Sequence, residues 1–262
     1  LGDQSPAGRP DCHPARRWRP GATGNARLPA FDRGLHLRPG LGVARCGQRL
    51  SAGVGLGEDS LLVGTFKGQV VALDNSGKVL WRSQLSSEIA AAPQGAEGVV
   101  VARTTDGRVF GLEADSGKRR WVFQRALPAL TLRYQPTVRL IQGGVLIGLP
   151  GGKLAFLNLS NGEVGWEATV ALPRGSTELE RVADVVSVPV VDAERACAVA
   201  FQGRVACFDL QTGNIAWGRD FSSSVTLAAD ERALYVVDEQ GAVAAFLKAT
   251  GASVWRQDKL QE

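Results

Sequence analysis

Side chains suited to acid–base or metal chemistry are scarce in this chain. Its only two histidines, His13 and His36, lie near the start, so the later residues offer no imidazole for proton transfer, a catalytic triad or a metal site. One carboxylate pair, Glu178 and Glu180, lies in a charged stretch without the apolar surroundings that would raise a carboxyl pKa. We therefore predict no catalytic residue, no metal and no cofactor.

The cysteines offer a second kind of chemistry, which their spacing does not define. They are Cys12, Cys46, Cys197 and Cys207. No CxxC motif occurs, so neither a zinc site nor a disulfide framework is indicated. Cys197 and Cys207 flank a predicted two-residue turn at Gln202 and Gly203. Such a turn would place the two side chains on opposite faces of a hairpin, so we expect free buried thiols, with a disulfide as the alternative.

A charged stretch, residues 175–189, interrupts the regular pattern around it. It reads "GSTELERVADVVSVP" and carries Glu178, Leu179, Glu180, Arg181 and Asp184. The connector that contains it runs 23 residues from Trp166 to Pro189, the proline near which the next blade is expected to begin, whereas the two earlier connectors, measured in the same way to Pro93 and Pro136, run 12 and 15. A lengthened loop on a regular scaffold is a common place for binding. The stretch therefore predicts a partner-binding loop, with a plain solvated loop as the alternative.

Five internal repeats organise the rest of the chain. Each begins with glycine, continues as an alternating strand, turns at a second glycine and ends in tryptophan. The tryptophans are Trp81, Trp121, Trp166, Trp217 and Trp255, and the second glycines are Gly77, Gly117, Gly162, Gly213 and Gly251. The tryptophan spacings of 40, 45, 51 and 38 residues are typical of a four-stranded propeller blade. We predict an all-β propeller in which each tryptophan fills the gap between neighbouring blades.

The positive charge of the chain is concentrated at its start. Residues 1–50 hold nine Arg, no Lys, three Asp and no Glu, whereas residues 51–262 hold 21 basic and 23 acidic side chains. Because its most basic stretch, "PARRWRPG", has a lone aromatic residue and no lysine, nucleic-acid binding is not favoured. We divide the chain into residues 1–48, an Arg/Pro/Gly-rich segment expected to be disordered or read out of frame, and residues 49–262, a partial propeller.

The repeat motif resembles that of the quinoprotein-like, or PQQ-like, β-propellers. "CFDLQTGNIAW" matches it best, through Phe208, Asp209, Thr212, Gly213 and Trp217. That family contains both enzymes and non-enzymatic scaffolds, so the fold does not decide the function. A quinoprotein dehydrogenase would need a calcium-binding set of acidic and amide residues and two adjacent cysteines, and adjacent cysteines do not occur here. A dehydrogenase fragment and a PQQ-like sensor domain remain alternatives to a scaffold.

Three segments resemble the BamB family of outer-membrane protein assembly factors more specifically. They are "RLSAGVG", "VGTFKGQVVALD" and "GSTELERVADV" with its following "PVV" strand. The resemblance implies an eight-bladed propeller, of which about five blades are present, at the periplasmic face of the outer membrane. It also implies a non-catalytic lipoprotein that binds the periplasmic domains of BamA and the assembly complex, with unfolded outer-membrane proteins as a further partner. Neither Cys12 nor Cys46 follows a lipobox, so we expect the lipid anchor to be absent from this chain.

The resemblance also implies a set of partner-binding residues. In the charged stretch they are Glu178, Leu179, Glu180 and Arg181, with Arg181 the first choice for a charged contact. In the next blade they are Phe208, Leu210 and Gln211, where glutamine stands in place of an expected arginine. Asp238 and Asp258, near later turns, are weaker candidates.

Overall fold

Alternating apolar residues with glycine turns build five four-stranded antiparallel sheets in the computed structural model. The structure describes residues 49–132, 137–225 and 227–258, together with a short backbone pair of β1 (His13–Pro14) and β2 (Ala44–Arg45). Apart from this pair, residues 1–48 lie outside the described residues. Their expected disorder or shifted reading frame therefore stays a prediction. No described segment forms a helix long and apolar enough to cross a membrane.

Each sheet is a blade whose strands follow one another in chain order. Blade one contains β3 (Gly55–Leu56), β4 (Leu61–Gly64), β5 (Gln69–Leu73) and β6 (Val79–Gln84), and blade two contains β7 (Gln94–Ala96), β8 (Val99–Arg103), β9 (Val109–Glu113) and β10 (Arg119–Phe123). Blade three contains β11 (Arg139–Ile141), β12 (Gly144–Leu149), β13 (Lys153–Asn158) and β14 (Val164–Thr169). Blade four contains β15 (Val190–Val191), β16 (Arg195–Val199), β17 (Arg204–Asp209) and β18 (Ile215–Asp220), and blade five contains β19 (Ala228–Ala229), β20 (Ala233–Val237), β21 (Val243–Leu247) and β22 (Ser253–Gln257).

The blades are arranged around an axis lined by their first strands, because β7 contacts both β3 and β11. In an antiparallel blade, the turn between the second and third strands lies at the same end as the connector to the next blade. We call this end of the propeller the connector face. The other two turns of every blade lie at the opposite face. Because successive strands run in opposite directions, their turns alternate between the two faces, and only loops at the same face can form one surface.

The repeated tryptophans join neighbouring blades, as predicted. Trp81, Trp121, Trp166 and Trp217 are buried, and each indole Nε1 donates to a backbone carbonyl of the next blade at 2.7–2.9 Å. Each ring packs against the second glycine of that blade, where an added side chain would overlap it. At Gly213, for example, a Cβ atom would lie 2.6 Å from the Trp166 ring. Apolar clusters therefore fill all four gaps between blades.

Trp255 is the exception among the five. Its side chain is 45% exposed, and its ring contacts Tyr235 at a centroid distance of 5.9 Å. No blade follows β22 among the described residues, so no glycine turn covers this ring. The predicted gap-filling role is met by the four earlier tryptophans and not by this one.

The predicted free thiols are wrong, because Cys197 and Cys207 form a disulfide. The turn between their strands has three residues, 201–203, closed by a hydrogen bond of 3.1 Å from Ala200 N to Arg204 O. A three-residue turn pairs Cys197 directly with Cys207, with Cα atoms 4.0 Å apart. Gln202 takes the positive φ, 48°, that glycine adopts in the other blades. The expected two-residue turn would have shifted this pairing by one residue and separated the sulfur atoms.

We predict that removing the cross-link destabilises the fold measurably. The Cys197→Ala/Cys207→Ala variant should lose about 2–3 kcal/mol of unfolding free energy, because the bond closes a short loop in the unfolded chain. Thermal and denaturant unfolding of the oxidised proteins would measure the loss. Dithiothreitol should lower the melting temperature of the unsubstituted chain but not of the variant. Equal sensitivity of both proteins to the reductant would contradict a stabilising bond.

Candidate functional site

The charged stretch forms a loop on the connector face, after the last strand of blade three. The chain leaves β14 and crosses the turn between β12 and β13, where Val170 N and Ala171 N donate to Gly152 O at 2.8 and 3.1 Å. A side chain at Gly152 would collide with the Ala171 carbonyl, so only glycine lets the connector pass this close. The turn of blade three thus supports the base of the loop.

Most polar groups of the loop are engaged within the loop itself. The Glu180 carboxylate accepts hydrogen bonds from Thr177 N at 3.1 Å, and from Ser176 N and Oγ at 2.8 and 3.1 Å. The hydrogen bonds from Thr177 and then Ser176 lower the pKa of Glu180. Arg181 Nε donates to Gly175 O at 3.1 Å, and its guanidinium lies 3.5 Å from Glu178. Three of the four predicted binding residues in this loop therefore hold its shape.

Leu179 is the remaining predicted residue, and it lies at the exposed part of the loop. Its side chain is 71% exposed, whereas the loop charges on either side of it are paired with one another or with backbone groups. A large apolar side chain presented by an ordered loop is typical of a binding anchor, because little conformational entropy remains to be lost on association. Arg181, half-exposed, retains surface for a partner contact as well.

Asp184 fastens the end of the loop to the body of the propeller. It is only 4% exposed, and its carboxylate accepts hydrogen bonds from Leu132 N at 2.7 Å and Gly151 N at 3.0 Å. The backbone carbonyl of Asp184 accepts a hydrogen bond from Phe201 N at 2.9 Å, and Phe201 lies in the turn between β16 and β17 of blade four. One residue therefore ties together two connectors and the turns of blades three and four.

A buried arginine provides the counter-charge for this carboxylate. Arg103 lies at the end of β8, and its Nη1 donates to Gly148 O at 2.8 Å. Burial lowers the pKa of Arg103 to about 10, and the negative charge of Asp184 opposes that shift. Arg103 remains protonated at neutral pH, so an Asp184 carboxylate is the favoured partner for a charge that would otherwise lie uncompensated in the interior.

Hydrogen bonds continue the surface from the loop into blades four and five. The Gln202 side-chain nitrogen, in the orientation that satisfies it, donates to Glu180 O and Val182 O at 3.0 Å. Gln202 N donates to Ser222 Oγ at 2.8 Å, and Ser222 Oγ donates to Glu239 at 2.6 Å. The loop, the turn between β16 and β17 in blade four and the turn between β20 and β21 in blade five are therefore one continuous region of the connector face.

Asp238 belongs to this region but has little free capacity. Its Oδ1 accepts from Gln240 N and Ala242 N at 2.9 and 2.8 Å, and its Oδ2 pairs with Arg256 at 3.0 Å. Arg256 also pairs with Asp258 at 2.7 Å. The two aspartates thus share one arginine on the connector face. Asp238 mainly shapes its turn, and Asp258 is the more exposed of the two.

The structure separates Phe208, Leu210 and Gln211 from the loop. The Phe208 side chain is 1% exposed in the core between blades three and four, so it has no surface to offer a partner. Leu210 and Gln211 lie at the turn between β17 and β18, which is at the opposite face. The Leu210 carbonyl accepts the Trp166 indole hydrogen bond at 2.9 Å. Phe208 therefore lies in the core, and Leu210 and Gln211 lie at the opposite end of the blade from the loop. A partner-binding role for Leu210 and Gln211 stays a prediction.

Sequence reasoning missed the supporting residues of the surface. The sequence pattern groups Asp184 with the loop charges, marks Gln202 only as a turn residue and does not distinguish Ser222. A signal for Asp184 was present, since "VADVV" places apolar residues on both sides of it and all four are buried. The hydrogen bonds of Gln202 and Ser222 had no local signal, because they join residues 17 to 22 positions apart.

A cavity of about 210 Å³ lies beside the turns of blades two and three. Its walls include Leu127, Pro128 and Pro150, with Arg125 and Lys153 at its rim. Both cations pair with Glu167. This volume is smaller than the roughly 300–1,000 Å³ of pockets for drug-sized ligands. Among the described residues, no group of three or more His, Cys, Asp or Glu side chains is placed to hold a metal.

The blades and their tryptophan contacts define the chain as a PQQ-like β-propeller. It belongs to the family described as outer membrane protein assembly factor BamB, whose model matches residues 15–257. The BamB of Nitrosomonas eutropha is 47% identical over 191 residues, which are 73% of this chain and 47% of that protein. The BamB of Bordetella pertussis is 43% identical over 81% of this chain and 55% of its own length. The chain thus spans about half the length of the curated relatives it matches.

Solved structures agree with the fold. The crystal structure of BamB from Moraxella catarrhalis has a TM-score of 0.79 and 27% sequence identity, and the similarity covers 84% of this chain and 68% of that one. The quinohemoprotein alcohol dehydrogenase from Comamonas testosteroni has a TM-score of 0.62 at 15% identity, covering 80% of this chain and 43% of the enzyme. At that identity the second similarity concerns the fold alone.

Proposed function

We propose that this chain acts as a non-catalytic scaffold of the outer-membrane β-barrel assembly machinery and binds the periplasmic domains of BamA through its connector face. The observation that carries the proposal is Leu179, an exposed apolar side chain on a loop whose own charges are already paired. Binding would bury Leu179 against the partner while the ordered loop loses little entropy. Arg181 would contribute at the edge of the contact.

The state of the loop carboxylates favours binding over catalysis. A general acid needs a raised carboxyl pKa, whereas hydrogen bonds lower that of Glu180. Glu178 lies at the protein surface and pairs with Arg181. The loop residues implied by the family resemblance are therefore suited to shaping a surface. The disulfide of blade four supports a periplasmic location, because such bonds persist in oxidising compartments.

Binding of the full chain to purified BamA periplasmic domains would test the proposal by surface plasmon resonance. Leu179→Ala should weaken the affinity at least about tenfold, because truncating a buried anchor costs more than 1.4 kcal/mol. Arg181→Ala should weaken the affinity less than Leu179→Ala does. Its effect would come from a less ordered loop and from the loss of a contact at the rim of the interface. Circular dichroism must first show equal β-structure in every variant.

Two variants provide matched controls for the position of the surface. Leu80→Ala removes a 50% exposed leucine on the outer strand of blade one and should leave the affinity unchanged. Gln211→Ala, at the opposite face, should also have no effect. A well-folded chain that shows no measurable binding would contradict the proposed partner. Equal losses of affinity in Leu80→Ala and Leu179→Ala would contradict the proposed surface.

A further inference from the structure

The disulfide of blade four is covered by blade five. Cys197 is 2% exposed and Cys207 is fully buried, within an apolar cluster that joins the two blades. Blade five contributes Leu234, Val236, Ala244 and Phe246 to that cluster. Thiol–disulfide exchange requires an incoming thiolate to reach a sulfur atom of the disulfide. In the folded chain, blade five therefore blocks the exchange.

The same cysteines can meet without blade five. They are ten residues apart on one hairpin, whose three-residue turn brings them directly opposite each other. The hydrogen bonds from Ala200 N to Arg204 O and from Leu210 N to Glu194 O make this a non-hydrogen-bonded pair of the ladder, where facing side chains lie closest. Hairpins form in about 1–10 μs, long before a multi-blade protein completes its packing.

We infer that an external oxidant of the disulfide class installs the Cys197–Cys207 bond on the uncovered hairpin, before blade five packs against blade four. The thiolate of one cysteine attacks the oxidant disulfide, forming a mixed disulfide and releasing one oxidant thiolate. The second cysteine thiolate then attacks the mixed disulfide and releases the other. The two cysteines lose two protons and two electrons, and the oxidant leaves as a dithiol.

This order has a consequence for the folded protein. Once blade five is in place, the bond is protected in both directions, because reduction by a dithiol is the reverse of the same exchange. Opening of the interface between blades four and five controls access to the bond, while opening elsewhere in the propeller does not. The covalent state of blade four is therefore decided during folding and kept afterwards.

Reduction kinetics of the native full chain would test this inference. Every protein would carry Cys12→Ser and Cys46→Ser, so that only one pair reacts with dithiothreitol, and alkylation followed by mass spectrometry would count the released thiols. Leu234→Ala loosens the interface between blades four and five and should speed reduction at least tenfold. Leu112→Ala removes an equally buried leucine between blades one and two and should leave the rate unchanged.

Three results would overturn the inference. Free thiols in protein purified from an oxidising compartment would show that the bond is not installed. Native protein reduced as fast as denatured protein would show that blade five does not cover it. Equal acceleration in the two leucine variants would place control in opening of the whole propeller. Slow reduction that only Leu234→Ala accelerates would support it.

Discussion

Replacing Trp166 with alanine should lower the free energy of unfolding by about 3–5 kcal/mol, the usual loss for a large buried aromatic residue. The ring packs between blades three and four, against Gly213 and against Phe156 at a centroid distance of 5.9 Å. Its indole nitrogen also satisfies the Leu210 carbonyl, which the substitution would leave without this donor. Denaturant unfolding followed by far-ultraviolet circular dichroism would measure the change.

Trp255→Ala is the matched control, because it removes the same side chain at the same place in the repeat. That ring is half-exposed and contacts only one described aromatic neighbour, Tyr235, so its loss should cost about 1 kcal/mol or less. The contrast separates packing between blades from the intrinsic preference of tryptophan for a strand. Similar losses in the two variants would contradict the role assigned to the repeated tryptophan.

Asp184→Ala should be about as costly as the loss of Trp166, although Asp184 is only one of four charged residues in its loop. Removing it leaves Leu132 N and Gly151 N without their acceptor and deprives the buried Arg103 of its nearby counter-charge. A buried N–H group left without an acceptor typically costs about 1–3 kcal/mol, and the uncompensated Arg103 charge adds to that loss. Unfolding in urea would measure the loss, and affinity for the BamA domains should fall with the disordering of the loop.

Two comparisons isolate the cause of this effect. Glu178→Ala removes an exposed carboxylate of the same loop and should cost less than about 1 kcal/mol, because surface ion pairs contribute little. The double variant Arg103→Val/Asp184→Ala should recover part of the loss, since it removes the stranded charge as well. Valine is the residue at the matching strand position of blade four, Val199, so the packing can accept it. A double variant less stable than Asp184→Ala would contradict the charge pairing.

The blades were predictable because their information is local. Alternation, two glycines and a tryptophan recur within about fifteen residues, and each repeat formed a four-stranded sheet where it was expected. The charged loop was predictable for the same reason, because its length and charge stand out in the sequence. Phe208 could not be placed in this way. Its motif predicted a strand, but the position of that strand between two blades decided that the side chain is buried.

The cysteine pair shows how a small local difference changes the outcome. "FQGR" suggests a two-residue turn at Gln202 and Gly203, but the chain uses Phe201 as well and gives the positive φ to Gln202. One additional turn residue changes the pairing of the strands, and pairing decides which side chains face each other.

The sequence by itself determined the all-β class, the number of blades among the described residues, the joining role of four tryptophans and the location of an unusual loop. These features depend on periodicity and turn chemistry, which act over a few residues. Tertiary structure alone decided that Leu179 is exposed, that Asp184 is buried beside Arg103, that the connector face excludes Gln211, and that blade five covers the disulfide. Those features depend on which strand ends share a face and on packing between residues far apart in the chain, and a local pattern does not encode either.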